Sequence, residues 1–548
     1  MDRVFLFDTT LRDGMQGTGI NYTLKDKLEI ARRLDEVGID YIEGGFPLAN
    51  EKEAAFFQQM KKEPLKQARL AAFGSTRKAG NKAREDANLL AVLGADTPVV
   101  VIVGKAWKLH VEHVLATNAE ENLAIFDDSI RLLKAEGREV IFDFEHFFDG
   151  WKAHPEYTRK LVETARDAGA DWLVPCDTNG GTLADEVVEA YRFLAGIPGL
   201  EGKLGVHFHN DLGLGVANSL AGVAAGARQV QGTINGWGER CGNANLCSIA
   251  PALSLKMPYT TRLALGRLTE LSRFVSEKAN MIPDKRQPFV GEAAFSHKAG
   301  QHADVLAKAQ SVQTAGFTSG GMMEHMDPSL VGNTRRILLS ELAGKSTVAM
   351  KLAKFGTFAK NSPEVTELTR ILKEKESEGY EYEAAEASFD LLVLKVLGRY
   401  RPLFELDNYH LESYKTWDRD SQTVGRIFLT AHGKRCMGAA VGIGPVGVLD
   451  KALRNALEVV FPFVRKLTLT DFSVRVLNAD EASTDSKVRV FISWSDGDVA
   501  WDTVGVHENI IEASWQALVD SFEYYALQYA TGSGILEGAG REPHHGND

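Results

Sequence analysis

The first half of the chain alternates between two kinds of segment, and this alternation constrains the fold more than any other feature. Short apolar runs rich in β-branched residues alternate with amphipathic stretches of helical period. The runs are VFLFD, IDYIEGG, RLAAFG, PVVVIVG, EVIFDFE, ADWLVPCD, KLGVHFH and RQVQGTING. Eight β/α units within about 260 residues suffice to close a barrel, whereas an open doubly wound sheet usually has about five to seven strands. The pattern therefore predicts an α/β fold that begins with a (β/α)8 barrel.

Polar side chains follow the carboxyl ends of these runs, which is where barrel enzymes place their active sites. The set comprises Asp8, Arg12, Asp13, Glu43, Glu145, Asp177, Thr178, His207, His209 and Asn235. Strand ends are often polar in any barrel. A concentration of acids, histidines and amides at these ends, however, indicates a catalytic rim.

The stretch GVHFHNDLG carries two histidines on alternate positions, so His207 and His209 point to one face of a strand. The pair alone fits an ordinary strand as well as a metal site. Asp13 could add a carboxylate and Asn243 an amide oxygen, which gives a set suited to Mg²⁺ or Mn²⁺. Zn²⁺ is less favoured, because no cysteine lies at ligand spacing. A metal beside Arg12 suits a 2-oxo acid, whose ketone oxygen gains negative charge during reaction.

Composition excludes several classes of function. The chain has 548 residues, of which 44% are hydrophobic, so it can form two to four packed domains. Its net charge of −12 argues against a nucleic-acid partner, and no apolar run approaches the ~20 residues of a membrane span. Four cysteines without a C-x-x-C pair fit reduced thiols. The chain opens on a strand-like segment with no leader pattern, so we expect a cytoplasmic protein.

The pattern changes after the charged stretch KEKESEGYEYEAAEAS, which ends at Ser388. Strand-like runs such as TVGRIFLTAHG and SKVRVFISWSD are then separated by helical stretches, which predicts an α+β module. We predict a barrel over residues 1–270, helical linker subdomains over 271–388, a C-terminal module over 389–531 and a disordered tail over 532–548.

Several long motifs resemble those of a known family. The strings LFDTTLRDGMQGTGINYT, HFHNDLGLGVANSLAGVAAGA, NGWGERCGNANL and SHKAGQHADVL resemble the DRE-TIM metallolyase superfamily, in its branch of acyl-CoA condensing synthases. The strings AFGSTRK, HFFDGWKAHPEY, CDTNGGTL, HMDPSLVGN and SELAGKS bring the chain closest to the citramalate synthase family, a relative of the 2-isopropylmalate and homocitrate synthases.

This resemblance implies an acyltransferase of isoleucine biosynthesis that condenses acetyl-CoA with pyruvate to (R)-citramalate and CoA. It implies that a metal-dependent Claisen condensation precedes hydrolysis of the thioester. By position, the implied metal ligands are Asp13, His207, His209 and Asn243, the catalytic residues are Arg12, Glu145 and His302, and the substrate-binding residues are Arg12, Glu43 and Thr178. Asp143, on the fifth strand, is a further candidate for substrate binding.

The resemblance also implies a homodimer, in which His302 reaches the active site of the partner subunit, and a regulatory C-terminal domain. A branched-chain amino acid, with isoleucine expected, would bind that domain. The chain departs from the family pattern at Met323, where a tyrosine is usual, and at Gln301, where an apolar residue is usual. Asp143, near the expected oxo-acid pocket, could favour a substrate more polar than pyruvate.

Three alternatives stay open at this point. The chain could be a sister synthase of the 2-isopropylmalate or homocitrate type that uses another 2-oxo acid. It could be a lyase of the 3-hydroxy-3-methylglutaryl-CoA type, although such an enzyme would not need the C-terminal module. Because Met323 replaces the usual tyrosine, the chain could also be an amino-acid sensor with impaired catalysis.

Overall fold

The computed structural model describes residues 2–297, 324–337, 345–415, 417, 420–477 and 486–528. They fall in two compact units, one of residues 2–296 with 326–336 and one of residues 297, 324–325 and the described positions from 337 onwards. The domain boundaries drawn from the sequence remain predictions. Among the helices of the described residues, none has the length and apolar character needed to cross a membrane.

The first unit contains a closed barrel of eight parallel strands, which confirms the predicted fold. The strands are β1 Phe5–Asp8, β2 Tyr41–Glu43, β3 Arg69–Ser75, β4 Val99–Lys105, β5 Glu139–Glu145, β6 Trp172–Asp177, β7 Gly205–Phe208 and β8 Gln229–Gly232. Each strand pairs with the next in the chain, and β8 closes the barrel against β1 with Gln229 opposite Phe5.

Helices follow the strands and form the outer layer. They are α1 Leu24–Val37, α2 Glu51–Lys62, α3 Ala87–Gly94, α4 Lys108–His113, α5 Ala119–Ala135, α6 Phe147–Ala153, α7 Pro155–Asp167, α8 Ala184–Ala195, α9 Gly215–Ala224, α10 Leu246–Lys256 and α11 Leu268–Lys278. Local sequence defines both ends of α1. Thr23 and Asp26 form a reciprocal capping box, and Gly38 ends the helix with a left-handed φ of 94°.

Two layers of apolar side chains form the core of the barrel. The inner layer fills the barrel interior with Phe7, Tyr41, Ala71, Val99, Val101, Ile141, Trp172, Val174 and Cys176. The outer layer lies between strands and helices. The helical period of α1 predicts an apolar face of Leu24, Leu28, Ala31, Leu34 and Val37, of which the last three are buried in this layer and the first two are partly buried against it. The barrel interior is therefore a packed core, so an active site is expected at the rim formed by the carboxyl ends of the strands.

Shorter elements complete the first unit. Two-residue strands at Asp2–Arg3 and Tyr259–Thr260 pair in parallel. Single 3-10 turns lie at Gly14–Gln16, Ala83–Glu85, Ile234–Gly236, Leu265–Arg267 and Pro328–Val331. Two further two-residue strands, Ser296–His297 and Arg336–Ile337, each have their first residue in the first unit and their second residue in the second unit.

The second unit contains two three-stranded antiparallel sheets, which confirms the predicted α+β module. The first sheet comprises β9 Glu405–Tyr414, β10 Gln422–Ala431 and β11 Lys434–Gly442, and the second comprises β12 Thr468–Val476, β13 Val488–Ser495 and β14 Ala500–His507. Each sheet is followed by a helix, α15 Pro445–Leu457 or α16 Ile510–Gln528. The preceding helices are α12 Lys345–Leu352, α13 Pro363–Ser377 and α14 Glu386–Val396, and 3-10 turns lie at Ala353–Phe355, Tyr382–Ala384 and Pro462–Lys466.

The two sheet-and-helix segments repeat one design. The first strand of each carries a register irregularity, between Leu406 and Asn408 in β9 and between Leu469 and Asp471 in β12. The third strand of each carries a glycine, Gly438 or Gly505, where a Cβ atom would overlap a backbone carbonyl of the covering helix. The absence of a side chain there lets each helix pack directly on its sheet.

Candidate active site at the mouth of the barrel

The carboxyl ends of the barrel strands bring the predicted site residues of the first unit to one mouth of the barrel. The set comprises Arg12 and Asp13 after β1, Glu43 on β2, Asp143 and Glu145 on β5, Thr178 after β6, His207 on β7, and His209 with its bridge partner Asn243. His302 and Met323 lie outside the described residues.

Asp13, His207 and His209 form a buried cluster. Oδ2 of Asp13 lies 3.5 Å from Nε2 of His207 and 3.8 Å from Nε2 of His209. Asn243 adjoins this cluster through its backbone bridge to His209. Gly238 packs against the Asn243 amide so closely that a Cβ atom at position 238 would overlap Nδ2. The local turn therefore requires glycine if Asn243 is to hold this position.

The cluster has the protonation state of a metal site. Burial raises the pKa of Asp13, but Arg12 and His207 outweigh it and lower that pKa to about 2. Burial lowers the pKa of His207 to about 4 and shifts the pKa of His209 in the same direction. At neutral pH the aspartate is therefore charged and both imidazoles are neutral, as metal ligands must be.

Two buried oxygens at this site lack a hydrogen-bond donor within the described part of the chain, Oδ1 of Asp13 and Oδ1 of Asn243. A buried acceptor left without a partner costs about 1–3 kcal/mol. A divalent cation would satisfy both oxygens, and one carboxylate, two imidazoles and an amide are a suitable donor set for it. These four residues therefore fit a divalent metal.

Arg12 joins this cluster to Glu43. Its Nη1 lies 3.3 Å from Oδ2 of Asp13, and its Nε donates a hydrogen bond of 2.7 Å to Oε2 of Glu43. The guanidinium carbon lies 4.1 Å from the centre of the Phe73 ring. Burial lowers the pKa of Arg12, but Glu43 and Asp13 raise it above the ordinary value. Arg12 is thus a fixed positive charge beside the cluster, and Glu43 contacts that charge.

Glu145 ends β5 and forms an ion pair with Lys105, the last residue of β4. Oε2 of Glu145 lies 2.6 Å from Nζ of Lys105, and the two residues are register partners. The predicted pairing of Glu145 with His302 stays a prediction, because His302 is outside the described residues. The sequence analysis did not predict the ion pair between Lys105 and Glu145. Lys105 ends the strand that precedes the strand of Glu145, and this position could have indicated the contact.

Thr178 is oriented by the backbone of His146. The N–H of His146 donates a hydrogen bond of 2.9 Å to Oγ1 of Thr178, so the Thr178 hydroxyl proton remains available to another acceptor. His146 adopts a left-handed backbone with φ of 55°, which is uncommon for a residue with a side chain. Strained backbone of this kind is concentrated at functional sites.

Asp143 is engaged by a residue that the sequence analysis did not single out. Nε2 of Gln231 donates a hydrogen bond of 3.0 Å to Oδ1 of Asp143. Burial, with a further contribution from Glu43, raises the pKa of Asp143 to about 8. The period-two pattern of RQVQG was the available signal, since it places Gln229 and Gln231 on one face of β8.

A second group of possible metal ligands lies beside this site, at the end of β5. One ligand atom from each of His110, Glu145 and His146 lies within 4.8 Å of the others. Lys105 already pairs with Glu145, and Nδ1 of His146 lies 2.9 Å from Oδ2 of Asp149. The Asp13 cluster is the better candidate, because all three of its residues are buried, whereas those of the second group are only partly buried, and because Oδ1 of Asp13 and Oδ1 of the adjoining Asn243 are buried and lack a partner among the described residues.

Comparison with family models agrees with both halves of this architecture. Residues 3–275 match the model described as HMGL-like. Residues 383–526 match the model described as the LeuA allosteric (dimerisation) domain.

Curated relatives extend the similarity over almost the whole chain. The (R)-citramalate synthase of Aquifex aeolicus is 47% identical over 96% of this chain and 98% of its own length. The enzymes of the same name from Synechocystis sp. and Geobacter sulfurreducens are each 46% identical, over 95% and 96% of this chain and 96% and 98% of their own lengths. With this identity over nearly its full length, the chain belongs to the (R)-citramalate synthase family.

Proposed function

We propose that the chain condenses acetyl-CoA with pyruvate to give (R)-citramalate and CoA. A methyl proton leaves acetyl-CoA, the methyl carbon bonds to the ketone carbon of pyruvate, the ketone oxygen takes up a proton, and water cleaves the thioester. The observation that carries the proposal is that the Arg12 guanidinium and the His207 and His209 imidazoles converge on the carboxylate of Asp13. The names of the relatives support pyruvate as the oxo acid.

Asp13, His207, His209 and Asn243 would hold the divalent cation that this reaction uses. Mg²⁺ or Mn²⁺ suits the carboxylate and amide oxygens better than Zn²⁺, and the set contains no thiolate. A bound cation of this kind supplies Lewis-acid polarisation of a carbonyl group.

Arg12 and Thr178 act on the oxo acid. Arg12 remains charged, so it stabilises the negative charge that develops on the ketone oxygen. Its hydrogen bond to Glu43 fixes the orientation of the guanidinium group and limits reorganisation during reaction. The Thr178 hydroxyl accepts from His146 and can donate its own proton to the substrate carboxylate.

Glu145 is the proposed base for the methyl proton, together with His302. Its ion pair with Lys105 fixes the position of the carboxylate at the end of β5. A carboxylate held in this way meets the geometric requirement for proton transfer better than one that samples many rotamers. The role of His302 follows from the family resemblance.

The second unit is proposed to form a homodimer and to bind a branched-chain amino acid, with isoleucine as the effector. Support comes from the match of residues 383–526 to an allosteric dimerisation domain. A role in isoleucine biosynthesis and a cytoplasmic location belong to the same proposal. Light scattering should give twice the chain mass, and isoleucine should inhibit the full-length protein more than leucine or valine.

A panel of oxo acids tests the proposed reaction. With acetyl-CoA and Mg²⁺ or Mn²⁺, release of CoA thiol should give a higher kcat/KM for pyruvate than for 2-oxobutyrate, 2-oxoisovalerate, 2-oxoglutarate or oxaloacetate. A preference for another oxo acid would instead identify a sister synthase. Cleavage of 3-hydroxy-3-methylglutaryl-CoA without condensation would indicate the lyase, and no thiol release with any oxo acid would favour the sensor.

A further inference from the structure

A chain of two hydrogen bonds links the metal-site residue His207 to the interior of the barrel. Gln231 lies on β8 as the register partner of His207 on β7. Its Oε1 is 2.9 Å from Nδ1 of His207, and its Nε2 donates a 3.0 Å hydrogen bond to Oδ1 of Asp143 on β5. All three side chains are buried, with at most 5% of each residue exposed. Water therefore does not compete for these hydrogen bonds.

The direction of these hydrogen bonds fixes which ring nitrogen of His207 carries the proton. A side-chain amide accepts through its oxygen and donates through its nitrogen. Because the Gln231 nitrogen donates to Asp143, its oxygen is the atom that faces His207, and Nδ1 must donate to it. Nε2 then has a free lone pair, and it is the atom that lies 3.5 Å from Oδ2 of Asp13.

His209, the second histidine of the cluster, differs from His207 in its hydrogen bonding. Nδ1 of His209 is buried and has no hydrogen-bond partner among the residues that the structure describes. The two imidazoles are therefore unequal, since the protein selects the tautomer of His207 through a side chain and does not do so for His209. A histidine that ligates a metal usually donates its other N–H to a partner that fixes the ring.

We propose that Gln231 is a positioning residue that holds His207 with its proton on Nδ1 and its Nε2 toward the metal, and that Asp143 orients Gln231 for this task. This inference rests on the metal site of the proposed function. It gives Asp143 a structural task through Oδ1, which accepts the hydrogen bond from Gln231.

Substitution of Gln231 provides the direct test, with a matched control on the same strand. Gln231→Leu removes the acceptor for His207. Gln229→Leu makes the same change two residues earlier on the same face of β8, where Gln229 is also buried and its side-chain amide makes no hydrogen bond to any described residue. In metal-stripped full-length protein, calorimetric titration with Mn²⁺ should show affinity about 10–100-fold weaker for Gln231→Leu and unchanged for Gln229→Leu.

Exchange of the two polar partners separates positioning from general packing. In Gln231→Glu with Asp143→Asn, the new glutamate accepts from His207 and the new asparagine donates to that glutamate. This double variant should bind Mn²⁺ with nearly wild-type affinity, whereas Asp143→Leu should weaken binding. Asp143→Asn alone should retain Mn²⁺ binding, because the amide oxygen of the asparagine still accepts from Gln231.

Wild-type Mn²⁺ affinity in Gln231→Leu would overturn the inference, as would an equal loss in Gln229→Leu. Failure of the double variant to recover affinity would overturn it even if Gln231→Leu does not fold. A loss of Mn²⁺ affinity in Asp143→Asn as large as that in Asp143→Leu would contradict the task given to Asp143. A wild-type protein that binds no Mn²⁺ contradicts the metal site and this inference together, whereas Mn²⁺ binding without condensation contradicts only the proposed reaction.

Discussion

Asp13 is the residue on which the arrangement of the site depends. Its Oδ2 lies within 4 Å of the Arg12 guanidinium and of both imidazoles, so one carboxylate connects the fixed positive charge to the two histidines. Loss of the Asp13 charge would leave Arg12 beside two neutral rings, which is a poor environment for a cation.

Asp13→Asn should therefore abolish metal binding without unfolding the barrel. Loss of a residue that only hydrogen-bonds to a metal ligand weakens metal binding by up to ~100-fold. Because Asp13 is itself a proposed ligand, we expect Mn²⁺ affinity to fall by more than this. Calorimetric titration measures this affinity, and circular dichroism checks the fold. Asp211→Asn is the matched control, because Asp211 follows His209 closely but pairs with Arg240 at 2.8 Å. Equal affinity in the Asp13 and Asp211 variants would show that the metal ligands are misassigned.

Glu145→Gln should separate proton transfer from metal binding. Loss of a general base typically lowers kcat by about 10²–10⁴-fold, and Mn²⁺ affinity should not change, because Glu145 is outside the Asp13 cluster. Lys105→Met should lower kcat less, since the carboxylate remains but loses its partner. Lys152→Met, which breaks an ion pair with Glu186 on the neighbouring helices, is the control. A Glu145→Gln enzyme with wild-type kcat would contradict the assignment of the base.

At the scale of whole elements, helices α1 and α2 are joined by a buried ion pair. Nζ of Lys27 lies 2.6 Å from Oε1 and 2.7 Å from Oε2 of Glu53, and both residues are almost fully buried. The helical period of α1 predicted an apolar face that includes the buried residues Ala31, Leu34 and Val37 and the partly buried Leu24 and Leu28. It did not predict Lys27 among them, because hydrophobic periodicity carries no information about a charge whose partner lies on another helix.

Lys27→Met should destabilise the first unit by about 3–5 kcal/mol, because it leaves the Glu53 carboxylate buried without a partner. The double variant Lys27→Met with Glu53→Leu should recover most of this loss, since no charge then remains buried. Lys25→Met is the control on the same helix, at a side chain that is 83% exposed. Thermal unfolding of each variant measures the effect. Equal stability of Lys27→Met and Lys25→Met would contradict it.

Helix α16 carries a group that should make the second unit sensitive to pH. Burial raises the pKa of Glu523 to about 7, and nearby Asp520 adds to the rise. Tyr400 donates a 2.6 Å hydrogen bond to Oε2, and Lys395 lies 3.8 Å from Asp520. In the unfolded chain the glutamate loses its proton at lower pH than in the folded protein. Deprotonation therefore favours unfolding as pH rises toward 7.

The stabilising contribution of Glu523 should thus be full at low pH and disappear as pH rises through about 7. From pH 5 to pH 7.5 the unfolding free energy of the second unit should fall by about 2 kcal/mol relative to the Glu523→Gln variant, which cannot titrate. Calorimetric unfolding of both proteins across this range measures the difference. A constant difference, or one that grows with pH in favour of the wild type, would contradict the buried protonated state.

For the molecule as a whole, regular features were predictable from sequence and individual partners were not. Eight strand-like runs predicted the closed barrel. Each strand and helix shows its own hydrophobic period in the sequence, and eight β/α units suffice to close a barrel. The alternate histidines and the strand ends predicted which side chains would meet at the mouth. The hydrogen bond between Asp143 and Gln231 required the structure, since the two residues are 88 positions apart in the chain and three strands apart around the barrel.

Identification of the product tests the proposed function most directly. Metal-stripped protein should be inactive with acetyl-CoA and pyruvate, and addition of Mn²⁺ or Mg²⁺ should restore turnover. Chiral chromatography of the reaction should then show citramalate of the R configuration alone, in an amount equal to the CoA thiol released. Citramalate of mixed configuration, a different product, or CoA release without any condensation product would contradict the assignment.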